Sequence, residues 1–272
     1  MHRKPARSAR SYGWVVLGAL AGFTSPSFVA PLARLRATKS ARFAGDKVQP
    51  VQPQTGEATG LAIVGAVLGP AVDAIHNQAL LRYDLLPVSA DLVGCGVART
   101  SILVPPLLAV AYALLGSILP AAAASMIGSC NTKNLPLLSL DPQRRAILAV
   151  ASTCIIIKAS ELLLTAGWNG PEALPVLMAM AFLQWASLDG RPFALFLALL
   201  AAIGGPLCEL PLMWLGAWHY TAPDYWPLAY FGFGPASGAA WAGLSMTTGP
   251  CYFAVTTDAI ALGRLFRKRQ CA

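Results

Sequence analysis

Apolar residues fall into six long runs separated by short polar stretches, at about 60–81, 100–122, 145–166, 172–188, 193–218 and within 225–262. Each run approaches or exceeds the roughly 20 apolar residues that cross a bilayer as a helix. The fifth, FALFLALLAAIGGPLCELPLMWLGAW, is the clearest. It ends in Trp214, Trp218 and Tyr220, aromatic residues of the kind that gather at a membrane–water boundary. The sixth is rich in small residues (Gly232, Gly234, Gly238, Gly243), which let helices approach closely in lipid, so it is expected at the centre of the bundle. The pattern predicts an all-α, polytopic membrane protein with six transmembrane helices.

The polar residues inside these runs are the candidate functional groups. Glu209 sits within the fifth run beside Gly204-Gly205-Pro206 and Pro211. A carboxylate at membrane depth costs about 2.5 kcal/mol or more, and usually faces protein or a wet cavity. The third run carries Lys158 and Glu161, three apart on one helical face. They neutralise each other, or Lys158 reaches Glu209 or a lipid headgroup; the sequence leaves both open. Asp73, His76 and Asn77 share a face late in the first run, where they line a cavity or mark the helix leaving the membrane. Residues 82–99 read as a loop or short interfacial segment.

Composition agrees with a membrane protein: 56% of residues are hydrophobic and 12% charged, half the charged share of a soluble domain. The net charge of +8 does not point to nucleic acid, because residues 1–47 hold nine Lys/Arg against Asp46 alone. The remaining chain has eleven of each sign and is neutral. Six scattered cysteines and three histidines offer no ligand spacing, so neither a metal site, a cofactor nor a disulfide framework is expected.

The N-terminal arm has two parts. Basic residues 1–10 precede a signal-like apolar core at 11–23, followed by Phe28-Val29-Ala30-Pro31 and an acid-free Arg/Lys/Ser/Ala stretch. It resembles the bipartite presequence of algae with complex plastids, with a transit-like part at 28–47. Residues 1–58 are therefore expected to be a targeting presequence and junction, 59–263 the membrane domain and 264–272 a basic tail. Lys133, Arg144, Arg145, Arg191 and the tail lie on one side of six spans, which puts both termini in the cytoplasm or stroma.

Four short motifs carry a resemblance to the insulin-induced gene protein (Insig) family of six-span membrane proteins. Leu103-Val104-Pro105-Pro106 resembles its W-V-P-P, and Leu188-Asp189-Gly190-Arg191 its F-D-R-S turn. Tyr220-Thr221-Ala222-Pro223-Asp224-Tyr225 resembles its Y-T-S-P-D-F, and Ile75-His76-Asn77-Gln78 falls near its L-L-Q-I-Q. The match covers about 60–262 and implies an Insig-like bundle that binds lipid between helices and regulates a membrane protein partner, without catalysis. Animal members bind oxysterol in the endoplasmic reticulum, and bacterial relatives bind diacylglycerol. The family's partner-binding turn aspartate carries over onto Asp189, with Arg191 beside it. Two positions depart from the family: Glu209-Leu210 stands where it has a polar amide, and Glu161 lies one turn before its acidic residue in span three.

The expected function is thus a non-catalytic regulator or scaffold binding a sterol or glycerolipid. Glu209, Lys158, Glu161 and His76 would form the polar end of the cavity, and Met213 and Trp214 its wall. A plastid membrane is the expected location, with the endoplasmic reticulum membrane as the alternative. Two other functions stay open: a small-molecule or proton-coupled transporter using the intramembrane charges, and an intramembrane lipid-modifying enzyme using Glu209 as acid or base.

Overall fold

The computed structural model describes residues 55–76, 79–92, 96–127 and 136–270. The presequence expected at 1–58 lies almost wholly outside these, and the first helix already begins at Thr55. The elements in order are α1 (Thr55–His76), β1 (Leu81–Tyr83), β2 (Pro87–Leu92), β3 (Gly96–Ser101) and α2 (Val104–Ala113). A π-helical turn (Leu114–Ile118) joins α2 to α3 (Leu119–Ile127). Then come α4 (Pro142–Thr165), α5 (Gly170–Leu188), α6 (Pro192–Trp214), β4 (Trp218–Tyr220) and α7 (Thr248–Gln270).

Local chemistry sets the helix starts. Asp141 caps α4, its carboxylate accepting from the Gln143 and Arg144 amides at 3.0 Å each, with Pro142 in the first turn. Asn169 and Glu172 exchange hydrogen bonds in a capping box at the start of α5. The Pro pair Pro105-Pro106 sits in the first turn of α2, where missing amides cost little. Pro206 and Pro211 lie inside α6, which nevertheless runs unbroken for 23 residues.

Four helical stretches among the described residues are long and apolar enough to cross a membrane: Thr55–Ala74, Val104–Ala123, Pro142–Thr165 and Pro192–Trp214. The chain is a multi-pass, mostly helical membrane protein. Gly170–Leu188 and Thr248–Gln270, which complete the expected six, do not reach that composition.

The sixth run needs correction. Residues 225–247 are not helical; they hold short 3-10 turns at Ala229–Phe231, Pro235–Ser237 and Ala240–Ala242. Gly232 (φ 88°) and Gly238 (φ 71°) take left-handed conformations that interrupt any helix. The loop closes at its base, where the Asp224 and Tyr225 amides donate to the Leu244 carbonyl at 3.0 Å. Asp224 Oδ1 also accepts from the Met246 amide at 2.7 Å. Burial pushes the Asp224 carboxyl above its ordinary range, against the lowering effect of that amide.

The central position belongs instead to α7, which packs against α1, α2, α4, α5 and α6. Phe253, Ala254, Thr256, Asp258 and Ala259 are fully buried along it. Close approach comes from two glycines of α7: a Cβ on Gly249 would stand 2.9 Å from the Ala202 carbonyl, and one on Gly263 2.2 Å from that of Gly116.

Two small antiparallel ribbons stand beside the helices, in stretches that the helical periodicity did not predict. β2 pairs with β3, and β1 pairs with β4 in the register Leu81↔Tyr220, Arg82↔His219, Tyr83↔Trp218. In the second ribbon Leu81, Tyr83, Trp218 and Tyr220 share one face, because strand side chains alternate. That face turns inward and builds one wall of the site.

Candidate functional site

Beneath the β1–β4 ribbon lies a cavity of about 160 Å³ bounded by α1, α2, α4, α6 and α7. Its walls are mainly apolar, among them Val72, Leu107, Leu108, Ala111, Ile157 and Val255. The polar groups gather around two carboxylates, Glu209 from α6 and Asp73 from α1.

Glu209 is 7% exposed and accepts three hydrogen bonds. Its Oε2 takes the Tyr220 hydroxyl at 2.8 Å and the Trp218 Nε1–H at 3.3 Å, and its Oε1 takes the Tyr252 hydroxyl at 2.9 Å. Tyr220 Oη also pairs with Thr248 Oγ1 at 2.9 Å. The Gly-Gly step explains how Tyr252 gets there. A Cβ on Gly205 would fall 2.5 Å from the Tyr252 ring, so only glycine lets that ring lie against α6. One turn along α6, Glu209 then meets its hydroxyl.

Asp73 Oδ2 accepts from the Tyr83 hydroxyl and from Thr100 Oγ1, the latter at 3.1 Å. Burial, then the Asp73 charge, holds the Tyr83 phenol well above its ordinary range. Burial, then the Glu209 charge, does the same for Tyr220. Both phenols stay protonated and remain hydrogen-bond donors. Tyr83 and Trp218 meet edge to face, with ring centroids 6.1 Å apart.

At the far side Tyr112 lines the cavity and donates to Asp258 Oδ2 at 3.2 Å. Asp258 is wholly buried midway along α7.

The structure sorts the other sequence candidates. Lys158 Nζ pairs with Glu161 Oε2 at 2.8 Å, so the local pair stands and no contact joins Lys158 to Glu209. Neither residue lines the cavity. Met213 is 2% exposed within an apolar cluster containing Val104, Leu210 and Leu244, while Trp214 is 66% exposed on the outer face. The His76 side chain lies outside the described residues. Asp189 is buried; it forms an ion pair with Arg264 and accepts from the Arg191 amide at 3.1 Å. Arg191 itself is exposed. Among the described residues no group of three His, Cys, Asp or Glu converges on a metal position.

Sequence reasoning found Glu209 but missed Tyr83, Tyr252 and Thr248, and assigned Trp218 and Tyr220 to an interfacial belt. The signal that separates them is Gly216, in a left-handed conformation (φ 76°) just after α6. It reverses the chain so that Trp218 and Tyr220 return inward, leaving only Trp214 outside.

Neither a protein-family model nor a curated protein matches the chain significantly. Solved structures do. One is MvINS, a mycobacterial Insig homologue from Mycobacterium vanbaalenii, with a TM-score of 0.54 and 22% identity over 81% of this chain and 98% of that one. Another is a cross-linked trimer of an MvINS variant, with a TM-score of 0.55 and 21% identity over the same shares. The chain therefore has an Insig-like fold.

Proposed function

We propose that this protein is a non-catalytic member of the Insig family that binds a membrane lipid, of sterol or diacylglycerol type, between its helices. The observation that carries this is the cavity itself. Apolar side chains from α1, α2, α4 and α7 surround a few convergent polar groups at Glu209 and Asp73, the usual make-up of a site for an apolar ligand with one polar end. The departure from the family at Glu209-Leu210 falls on that polar end and would tune which lipid is taken.

In this reading α5 and α7 cross the membrane with the four long apolar stretches. Lipid occupancy then sets the arrangement of α7 and the β1–β4 ribbon, and through it the contact with a membrane protein partner. Exposed Arg191 would take part in that contact directly. Asp189 would act behind it, by fixing the α5–α6 turn through Arg264 and the Arg191 amide. The bipartite N-terminal pattern supports a plastid membrane as its location, with the endoplasmic reticulum membrane as the alternative.

Native mass spectrometry of the full chain in mild detergent, wild type against Glu209→Leu, tests this reading. One defined lipid per protein, reduced in the variant and recovered chemically unchanged, is the expected result. Only nonspecific adducts, equal in both, would overturn the lipid reading, and turnover of the bound lipid would overturn its non-catalytic part.

A further inference from the structure

Among its described residues, the cavity lining presents acidic side chains and no basic ones: two carboxylates, Asp73 and Glu209, and no lysine, arginine or histidine. All three donors to Glu209 are neutral, Trp218, Tyr220 and Tyr252, and no ion pair reaches it among the described residues. Neutral donors hold a carboxylate in place without cancelling its charge. In a site walled by hydrocarbon that charge acts on a ligand with little screening. An anionic head is repelled there, and a cationic head is drawn in.

The aromatic side chains point the same way. Tyr83, Trp218, Tyr220 and Tyr252 line the same end of the cavity as the carboxylates. Ammonium groups are held by aromatic faces together with anionic neighbours, a combination used for quaternary ammonium ligands. Within this lining Tyr83 packs edge to face on Trp218. A space of about 160 Å³ accommodates a head and the first part of a chain, with the rest of the tail outside in hydrocarbon.

We infer that the cavity selects an amphiphile whose head carries a cationic nitrogen, a primary amine or quaternary ammonium, seated against Glu209 within the aromatic lining. This rests on the reading of the cavity as a lipid site and replaces the neutral head of a sterol or diacylglycerol with a cationic one. The head replaces no existing bond: the carboxylate keeps its three donors and uses its remaining lone pair, on Oε1, for the ammonium.

The test uses the full chain in dodecyl maltoside, a detergent without nitrogen. It is titrated with oleylamine, oleyl alcohol and oleate, which share one tail, and with dioleoylglycerol; stoichiometry and affinity are read by native mass spectrometry. Oleylamine should bind one per protein, at least about tenfold tighter than oleyl alcohol, the advantage of a charge-assisted over a neutral contact. Glu209→Gln, which keeps shape and acceptor but not charge, should bring the two within about twofold. Oleyl alcohol, oleate or dioleoylglycerol binding as tightly as the amine in the wild type overturns the inference and leaves the lipid cavity standing. Binding of none of the four overturns the inference and, of the two lipid classes proposed above, removes diacylglycerol. An amine preference that survives Glu209→Gln removes Glu209 from the role. The wild-type comparison decides the head preference even if the variant fails to fold.

Discussion

Arg267 near the end of α7 clasps Glu57 in the first turn of α1, with Nη2 2.7 Å from Oε1 and Nε 3.0 Å from Oε2, across 210 residues of chain. The Glu57 side chain is 2% exposed and the Arg267 side chain 38%. Removing the cation leaves a carboxylate buried without its partner, which for fully buried pairs costs about 3–5 kcal/mol. The partial exposure of Arg267 lowers the expectation to about 2 kcal/mol for Arg267→Ala. Glu57→Gln buries no charge and should cost less, about 1 kcal/mol. The double variant should be no worse than Arg267→Ala alone. Unfolding in mixed detergent micelles measures all three; strict additivity would show that the two residues do not act as a pair.

The contact between the π-helical turn and α7 is backbone against backbone. A Cβ on Gly116 would lie 2.4 Å from the Ala259 carbonyl, and one on Gly263 2.2 Å from the Gly116 carbonyl. Neither backbone yields as a flexible side chain does, so Gly263→Ala should destabilise by about 1–3 kcal/mol. Gly204, also helical, has nothing within 4 Å of its would-be Cβ. Gly204→Ala should be neutral or stabilising by up to about 1 kcal/mol, from lost unfolded-chain freedom. Thermal unfolding of the two variants side by side reads the contrast, and equal effects would contradict this packing.

Asp141 makes the start of α4 sensitive to acid. Its carboxyl is held below the usual range by the Arg144 amide first, aided by the Gln143 amide and the Arg144 charge. A group whose folded pKa lies below its unfolded value stabilises the fold above the unfolded pKa. That contribution fades as pH falls through the folded value. Protection factors of the Gln143 and Arg144 amides, corrected for intrinsic exchange, should therefore drop between about pH 5 and pH 3. In Asp141→Asn, which caps without titrating, they should stay level across the same interval.

How much of this was legible in the sequence differs from element to element. Five of the six runs are helical near their expected limits, the second with a π-helical turn inside it, because long apolar runs leave few other structures in a membrane. Asp189-Gly190-Arg191-Pro192 marks the α5–α6 turn because a glycine suits the left-handed exit of a helix (Gly190, φ 68°) and a proline suits the first turn of the next. The sixth run misled because its composition is apolar throughout. Hydropathy does not register the left-handed backbone at Gly232 and Gly238 that keeps 225–247 out of a helix. Glu209 stood out as a lone acid in hydrocarbon. Its partners did not, since Tyr252 lies 43 residues away and arrives only by packing against Gly205. Nor does any local pattern announce that Leu81–Tyr83 will pair with Trp218–Tyr220.

Met213 and Trp214 were the wall residues expected from the sequence, and the geometry moves the wall elsewhere. Trp214 points outward at 66% exposure, whereas Ala111 of α2 faces the cavity. Ala111→Phe places a ring in a space of about 160 Å³ and should displace bound lipid. The expected loss of affinity is at least about tenfold, or 1.4 kcal/mol. Filling an existing cavity adds contacts rather than strain, so its unfolding midpoint should not fall by more than about 2 °C. Trp214→Ala, by contrast, should keep wild-type lipid stoichiometry. Native mass spectrometry and thermal unfolding on the same preparations separate the outcomes. Lipid lost from Trp214→Ala but retained in Ala111→Phe would place the binding surface on the outer face of α6, and the cavity beneath the ribbon would have no part in it.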